Sequence, residues 1–316
     1  MLVIVAPGQG AQTPGFLAPW LEVDGVADRL HWWSAVAGLD LVHYGTEADA
    51  DTIKDTAIAQ PLLVAAGMAA GSALFPASKP LHRAQLGAVA GHSVGEITAA
   101  AFSRVLTPEQ AIAFVRQRGL AMAGAAAQTA TGMCVVLGGE PDEVAEKFEK
   151  YGLTAANNNG GGQLVAAGTV EQLEAFKADP PAKARLVSLA VAGAFHTEHM
   201  APGVERLAKL APGLTVRDPL TAYVSNADGA TVGSGAEVLS RLVSQVSNPV
   251  RWDLCMESLE RLGATCVIEV PPAGTLTNLV KRNLKGVATL ALKTPADLEK
   301  ARELIAEHAT PEGDVV

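Results

Sequence analysis

The chain has 316 residues, a formal net charge of −9 at pH 7, and a composition that is 49% hydrophobic but only 4% aromatic. This length can bury a substantial core, and we expect a soluble α/β protein with one large and one smaller domain. The acidic balance argues against nucleic acid as a partner, because phosphate binding requires a basic face. The cysteines, Cys134, Cys255 and Cys266, are too few and too scattered for a disulfide framework or a zinc site, so we predict no metal.

The N-terminal sequence MLVIVAPGQG is too short for a membrane span and lacks the basic start of a signal peptide. We also expect no later run of the roughly 18 apolar residues that a span requires. These features predict a cytoplasmic protein with no membrane partner.

The first predicted element is a buried strand, Leu2–Ala6, which Pro7 and Gly8 end. The loop that follows, Gly8–Gln12, contains only small and amide residues. It is either an ordinary turn between a strand and a helix or a loop of backbone donors beside an active site. A phosphate loop is excluded because no Lys-Ser/Thr pair follows the glycines. Helices are predicted around Ala27–Ala37 and Ile58–Leu74, and then a polar loop at residues 76–85.

Residues 87–100 have the sequence GAVAGHSVGEITAA, which predicts a short strand, a tight turn around Ser93 and a helix rich in small residues. This is the nucleophile-elbow pattern, in which a serine projects from a strained turn between strand and helix. Gly91 and Gly95 suit it, because side chains there would collide where strand and helix meet. The start of the helix directs free N–H groups at the serine oxygen. The alternative is a structural turn, since Gly-rich turns are common.

The next helix is predicted to begin at Thr107–Gln110, with a capping threonine and a proline in its first turn. At 100° per residue, Arg118 falls in the middle of an apolar face. That face consists of Ala111, Phe114, Val115 and Met122. An arginine on such a face is costly unless an acid or phosphate meets it, so its partner is either an internal carboxylate or an anionic substrate.

From about Thr131 the predicted order is strand, helix, strand, strand, helix, strand, which is the ferredoxin-like split βαβ motif. These six elements are Gly132–Leu137, Pro141–Tyr151, Leu153–Asn157, Gln163–Ala167, Val170–Ala178 and Ala184–Val191. We interpret residues 128–195 as a small domain inserted into a larger one. The larger domain, residues 1–127 and 196–316, is predicted to be α/β-hydrolase-like, with a parallel sheet and the nucleophile elbow. Its later strands are predicted at Ala222–Ser225, Cys266–Val270 and Ala288–Ala291, and the tail after Thr310 is expected to be disordered.

A serine nucleophile requires a base, and the candidates among seven histidines are His199 and, one helical turn before it, the favoured His196. It lies beside small residues at the predicted domain junction, where its side chain can reach a cleft, although a structural histidine is the alternative. His92 adjoins Ser93, but neighbours in a tight turn point apart, so we expect it to line the pocket. The carboxylates between Ser93 and His196 lie mainly on charged helices of the insertion. A Ser-His dyad whose imidazole is oriented by a backbone carbonyl therefore fits better than a triad in the order Ser, Asp, His.

Several motifs together resemble one family. They are GQGAQ near the N-terminus, GHSVGE at the elbow, QRGLAM around Arg118, N-x-N-x-x-x-Q from Asn157, GAFH ending at His196, and NPVRW from Asn248. In this order and spacing the chain resembles the malonyl-CoA:acyl-carrier-protein transacylases of type II fatty-acid synthesis, and their actinobacterial members most. The family is related to the acyltransferase domains of polyketide synthases. The resemblance covers residues from Met1 to about His308.

The resemblance implies an acyl transfer in two half-reactions. Ser93 attacks the malonyl thioester of coenzyme A with His196 as general base, and the phosphopantetheine thiol of acyl carrier protein then attacks the malonyl-serine, giving ping-pong kinetics. Malonyl-CoA and a transiently docked acyl carrier protein are thus the implied partners of a monomer with no permanently bound cofactor. The main alternative is a serine hydrolase or thioesterase with the same dyad, and an inactive carrier-binding scaffold is a third possibility.

The resemblance also implies roles for individual residues. The backbone N–H groups of Gln9 and Val94 hold the oxyanion, Arg118 pairs with the malonyl carboxylate, and the backbone carbonyl of Arg251 orients His196. Gln60 and Asn159 line the pocket with His92. Phe195, in GAFH, resembles the malonyl-selecting version of this motif and not the serine-containing version of methylmalonyl-selecting polyketide domains. A bulky ring at this position would crowd a 2-methyl branch. A basic patch for the acidic carrier protein is predicted at Lys183, Arg185, Lys281 and Arg282.

Overall fold

A computed structural model of the chain describes residues 1–75 and 86–309. The predicted polar loop at 76–85 and the predicted disordered tail lie outside the described residues. The described strands are β1 Leu2–Ala6, β2 Ala88–Gly91, β3 Thr131–Gly138, β4 Thr154–Asn158, β5 Gln163–Thr169, β6 Ala184–Ser188, β7 Ala222–Val224, β8 Thr231–Val232, β9 Val250–Arg251, β10 Cys266–Glu269 and β11 Ala288–Ala291. The described α-helices are α1 Val26–Ala37, α2 Leu41–Thr46, α3 Thr56–Leu74, α4 Gly95–Phe102, α5 Pro108–Ala126, α6 Pro141–Tyr151, α7 Val170–Ala178, α8 Ala201–Leu210, α9 Gly235–Ser244, α10 Trp252–Arg261, α11 Thr275–Asn283 and α12 Leu298–His308.

The larger sheet has the strand order β11-β10-β1-β2-β7-β8. Its strands are parallel except for the pair β7 and β8. Every residue of β1 is buried, which explains its continuous apolar sequence, because helices cover both faces of the sheet. Val3 and Val5 pack with residues of α10 and α11, whereas Leu2 packs with the cluster around α3 and α5. This α/β class is the one that the sequence predicts.

Parallel pairing of β1 and β2 brings the loops that follow them to the same edge of the sheet. Ala6, at the end of β1, is in register with Gly91, at the end of β2. The loop from Gly8 and the turn around Ser93 therefore start side by side. Ligands of open α/β sheets bind at this carboxyl edge.

Helix α3 packs against α5 and is buried along almost its whole length. With 19 residues and a mean hydropathy of 1.5, it has the length and composition of a helix that could cross a membrane, yet most of it lies inside the fold. A helix in the core of a globular protein can have the same length and composition. The expectation that no segment reaches this length therefore does not hold for Thr56–Leu74.

The smaller sheet has the strand order β6-β3-β5-β4-β9. Pairs among β3 to β6 are antiparallel, and α6 and α7 pack on one face around Phe148 and Phe176. The fifth strand, β9, comes from beyond residue 195 and pairs with Asn157 and Asn158 in parallel. Strand β9 is not among the predicted strands, because two residues after an Asn-Pro turn carry no strand pattern and their pairing partner lies far away in the sequence. The ferredoxin-like description and the domain boundaries at 128 and 195 remain predictions.

Candidate active site

Ser93 lies in the turn between β2 and α4 with a φ of 54°, a left-handed conformation that is uncommon for a residue with a side chain. Its two flanking glycines are required by close approach. A Cβ on Gly91 would lie 2.0 Å from the carbonyl carbon of Gly95, and a Cβ on Gly95 would lie 2.1 Å from the carbonyl oxygen of Ala6. The two glycines thus permit the sharp turn at Ser93 that the elbow pattern predicts.

Ser93 and His196 meet although they are far apart in the sequence. The Ser93 Oγ atom lies 2.7 Å from His196 Nε2. His196 is only 3% exposed and also has a positive φ, of 62°, so its backbone is held in a strained conformation. Burial, and then the nearby Arg118 charge, lower the pKa of His196 to about 3, so the imidazole is neutral at physiological pH and can accept a proton.

The imidazole is oriented by the backbone of Gln245. The Nδ1–H group of His196 donates to the carbonyl oxygen of Gln245 at 2.8 Å, which leaves Nε2 as the acceptor that faces Ser93. A carbonyl thus takes the place of the third triad member.

The prediction that Arg251 supplies this carbonyl is wrong. Arg251 lies in β9, where it is in register with Asn158, and its N–H donates to the carbonyl of Asn226. Its side chain pairs with Asp253 at 2.8 Å. The carbonyl comes instead from the 3-10 turn Gln245–Ser247, which ends before the Asn-Pro motif.

Arg118 is buried beside the dyad, with only 1% of its surface exposed. Its Nη1 donates to Gln60 Oε1 at 2.7 Å, and its Nη2 donates to Gln245 Oε1 at 2.8 Å. Nη2 also lies 3.4 Å from Ser93 Oγ, and Nε has no hydrogen-bond partner in the described part of the chain. Burial lowers the pKa of Arg118 to about 10, which still leaves it charged at neutral pH.

The direct partners of Arg118 are therefore neutral amides, and no carboxylate in residues 1–75 and 86–309 forms an ion pair with it. The internal ion pair considered from the sequence is not formed. Arg118 interacts electrostatically with Glu96, whose negative charge raises the pKa of Arg118. A buried guanidinium with an unused donor beside a serine hydroxyl can receive a carboxylate of the reacting acyl group.

Two backbone N–H groups near Ser93 are free to hold an oxyanion. The N–H groups of Gln9 and Val94 donate to no other described residue. The loop that carries Gln9 lies against the elbow, because a Cβ on Gly8 would lie 3.1 Å from His92. The Ser93 N–H is already used, since it donates to Asn226 Oδ1 at 2.8 Å.

Two of the remaining predicted pocket residues, His92 and Asn159, contact each other beside Ser93. His92 Nε2 lies 2.9 Å from Asn159 Oδ1, so the ring links the elbow to the smaller sheet. Burial lowers the pKa of His92, which favours a neutral donor to that amide. Phe195 is 6% exposed and packs in the large apolar cluster that also contains Met122.

Three polar residues of the site were not predicted from the sequence, namely Gln245, Asn226 and Glu96. All three are buried and hydrogen-bonded to one another behind Ser93. Glu96 ends the GHSVGE motif, and its signal in the sequence is a carboxylate in a helix of small residues. Asn226 and Gln245 carry no local signal, because only the fold brings them to the elbow.

Comparison with known proteins agrees with this site. Residues 3–305 match the family model described as an acyl transferase domain. The malonyl CoA-acyl carrier protein transacylase of Mycobacterium tuberculosis is 47% identical over 304 residues, which cover 96% of this chain and 100% of the relative. This chain belongs to the malonyl CoA-acyl carrier protein transacylase family. The family and the fold class inferred from the motifs are confirmed.

Solved structures of the transacylase family share the fold. The crystal structure of the Mycobacterium tuberculosis enzyme has a TM-score of 0.91 at 47% identity and covers 96% of this chain and 99% of that one. A malonyl-transacylase in complex with its type II polyketide synthase acyl-carrier protein has a TM-score of 0.87 at 29% identity, with 96% and 99% covered. These full-length matches are transacylases, which favours the transferase over the serine hydrolase alternative.

Proposed function

We propose that this chain transfers a malonyl group from malonyl-CoA to the phosphopantetheine thiol of an acyl carrier protein, through a malonyl ester on Ser93. The observation that carries the proposal is the buried Arg118 guanidinium, whose Nη2 lies 3.4 Å from Ser93 Oγ and whose Nε is unpaired within the described residues. A hydrolase of neutral esters does not require a buried positive charge beside its nucleophile. A malonyl thioester supplies the carboxylate that it lacks.

In the first half-reaction, His196 Nε2 accepts the proton of Ser93 Oγ as this oxygen attacks the thioester carbonyl. The N–H groups of Gln9 and Val94 stabilise the oxyanion of the tetrahedral intermediate. The carbon–sulfur bond then breaks, and the proton on His196 passes to the sulfur of coenzyme A. Arg118 holds the malonyl carboxylate throughout, which orients the acyl group.

In the second half-reaction, the thiol of the carrier protein's phosphopantetheine gives its proton to His196. Its sulfur attacks the malonyl-serine carbonyl, the ester bond breaks, and Ser93 Oγ takes the proton back. The chain supplies nucleophile, base and oxyanion donors from its own residues. We therefore propose that coenzyme A and phosphopantetheine enter only as parts of substrates, with no permanently bound cofactor.

Substrate selection is proposed to involve the pocket wall of Gln60, His92, Asn159 and Phe195. Gln60 fixes Arg118 through its side-chain oxygen, while its Nε2 is directed to Met122 Sδ at 3.3 Å. Phe195 adjoins His196 in sequence and is almost fully buried, so it has little room to move aside for a 2-methyl branch.

The carrier protein is proposed to dock on a basic edge near the cleft. Arg185 and Gln163 both pair with Leu137 in the smaller sheet, and Arg282 Nη2 donates to Gln163 Oε1 at 3.1 Å. Arg185 and Arg282 therefore stand at two ends of one row of contacts. Lys183 and Lys281 extend this row, and both are exposed. Such a row offers charge complementarity to an acidic carrier protein in an otherwise acidic chain.

We propose a cytoplasmic protein, because acyl-CoA chemistry and three buried free thiols suit a reducing compartment. That it is a monomer stays a prediction. The transferase is distinguished from the hydrolase by intact-mass spectrometry after mixing with malonyl-CoA. A transferase retains a malonyl adduct on Ser93 until a thiol acceptor is added, whereas a hydrolase loses it to water. A Ser93→Ala control must acquire no adduct. Rapid loss of the adduct without acceptor contradicts the transferase assignment.

A further inference from the structure

Glu96 is a buried carboxyl group that the proposed reaction does not use. It lies in the first turn of α4, three residues after Ser93, and is only 1% exposed. Oε1 accepts from the Asn226 N–H at 2.7 Å, and Oε2 accepts from the side-chain amide of Gln245. Burial raises the pKa of Glu96 to about 7, against the effect of these hydrogen bonds.

The two partners of Glu96 hold three parts of the active site. Asn226 Oδ1 accepts from the Ser93 N–H at 2.8 Å, which supports the strained turn. The Gln245 backbone carbonyl accepts from His196, and its side-chain Oε1 accepts from Arg118 Nη2, both at 2.8 Å. One carboxyl group thus lies behind the nucleophile, the base and the guanidinium.

A carboxylate at position 96 also reinforces the orientation of the Gln245 amide, which Arg118 as a donor and the Ser93 carbonyl as an acceptor favour as well. A carboxylate only accepts hydrogen bonds, so the NH2 group of Gln245 turns toward Glu96. Its oxygen is then left for Arg118. An amide at position 96 would present a donor as well as an acceptor and would weaken this preference.

The charges around Glu96 are few and can be named. The elements α3, β1 and β2, which pack on α4, contain no titratable side chain. The facing groups are Arg118 of α5, Tyr223 of β7 and Cys255 of α10. Arg241 of α9 acts on Tyr223 and is paired with Asp228 and Glu237. Arg118 and Glu96 are therefore one positive and one negative group in a buried site, joined through a neutral amide.

A substrate carboxylate on Arg118 would leave two negative charges facing one positive charge in this buried region. Such an excess is costly in a low dielectric and is relieved when one carboxylate takes up a proton. The hydroxyl oxygen of Tyr223 can accept a hydrogen bond from the protonated carboxyl group of Glu96. This hydroxyl lies beside Glu96, is fully buried, and has no hydrogen-bond partner at standard distance in the described residues.

We propose that Glu96 is a positioning residue for Ser93, His196 and Arg118, and that it takes up a proton from solvent when the substrate carboxylate pairs with Arg118. The proton forms an O–H bond on Glu96 that is directed to Tyr223 Oη. It returns to solvent when the malonyl group leaves the site. This inference rests on the proposed function, because it requires an acyl group that carries a carboxylate.

The test measures proton uptake by calorimetry with the Ser93→Ala variant, which binds malonyl-CoA without reacting. Titrations at pH 7.5 in two buffers of different ionisation enthalpy give the number of protons exchanged. We expect uptake of about half a proton per malonyl-CoA bound, with binding about threefold tighter for each pH unit lowered. Acetyl-CoA, which has no free carboxylate, should bind without uptake.

Two further variants in the Ser93→Ala background identify the group. Glu96→Gln should abolish the uptake. Tyr223→Phe should reduce it, because the variant lacks the hydroxyl that accepts a hydrogen bond from neutral Glu96. Unchanged uptake in Glu96→Gln overturns the inference, and if that variant does not bind, unchanged uptake in Tyr223→Phe overturns it.

Failure of the inference is distinguishable from failure of the proposed function. If the parent protein forms malonyl-Ser93 but malonyl-CoA binds without proton uptake, the inference on Glu96 is wrong and the transferase assignment stands. If the parent acquires no malonyl group on Ser93, the assignment itself is wrong.

Discussion

The Nη2 atom of Arg118, on helix α5, lies 3.4 Å from the Oγ atom of Ser93, in the turn that precedes α4. The guanidinium is anchored by two amide oxygens, on Gln60 and Gln245. Neutral acceptors fix its position without cancelling its charge. The site therefore keeps a fixed positive charge for the acyl group that reaches Ser93.

Removal of the Arg118 charge should slow the loading of acyl groups that carry a carboxylate more than the loading of neutral acyl groups. We expect Arg118→Ala to lower kcat/KM for malonyl loading by about 30- to 150-fold, because a charged hydrogen bond to a buried carboxylate contributes about 2–3 kcal/mol. Loading from acetyl-CoA should fall much less or rise. The measurement is the rate of Ser93 acylation by each thioester. Arg116→Ala is the matched control, since Arg116 lies on the same helix and bonds to the Ala57 carbonyl. Malonyl loading at the parent rate would reject the role.

The pH dependence of loading should reflect the buried state of His196. Its pKa of about 3 means that the base stays neutral far below the ordinary histidine pKa of about 6.5. We expect the loading rate, measured by rapid quench, not to fall between pH 7.5 and 5.5. A tenfold fall with a midpoint near pH 6.5 would show an ordinary imidazole instead.

The same pKa has a consequence for stability. Between about pH 3 and 6.5 the unfolded chain binds a proton at His196 and the folded chain does not, so the free energy of unfolding falls as the pH falls. A His196→Asn variant lacks this contribution. Urea unfolding at pH 7.5 and pH 5 should show a smaller acid-induced loss in the variant than in the parent.

Discrimination against a 2-methyl branch should depend on Phe195. We expect Phe195→Ser to raise loading from methylmalonyl-CoA relative to malonyl-CoA by about tenfold, since one methyl group in a tight pocket is worth about 1–3 kcal/mol. The ratio of the two rates is the useful quantity, because any loss of folded protein cancels in it. An unchanged ratio would mean that Phe195 does not select the acyl group.

Carrier-protein docking should depend on the basic edge described above. We expect Lys281→Glu and Arg185→Glu to raise KM for acyl carrier protein severalfold at low salt and to leave Ser93 loading from malonyl-CoA unchanged. Lys300→Glu is a charge-matched control on α12, where the lysine is exposed and pairs with Glu303. If the control raises KM equally, net charge and not the edge is responsible.

Local sequence was enough to predict the elements that make the elbow. Gly91 and Gly95 mark close approaches, and Thr107 and Gln110 form the capping box that begins α5, as their spacing predicts. The apolar face that surrounds Arg118 marked that residue before any partner was known. Such features are predictable because their cause lies within a few residues of the pattern.

The sequence by itself determined the α/β class, the serine turn, the buried arginine and, through the order of its motifs, the family. Only the tertiary structure decided that Gln245, and not Arg251, supplies the carbonyl for His196, and that Asn226 and Glu96 stand behind Ser93. Whether groups in distant segments form a hydrogen bond depends on the distance between donor and acceptor, to within a fraction of an ångström. No short pattern encodes that distance, because it results from the packing of the whole chain.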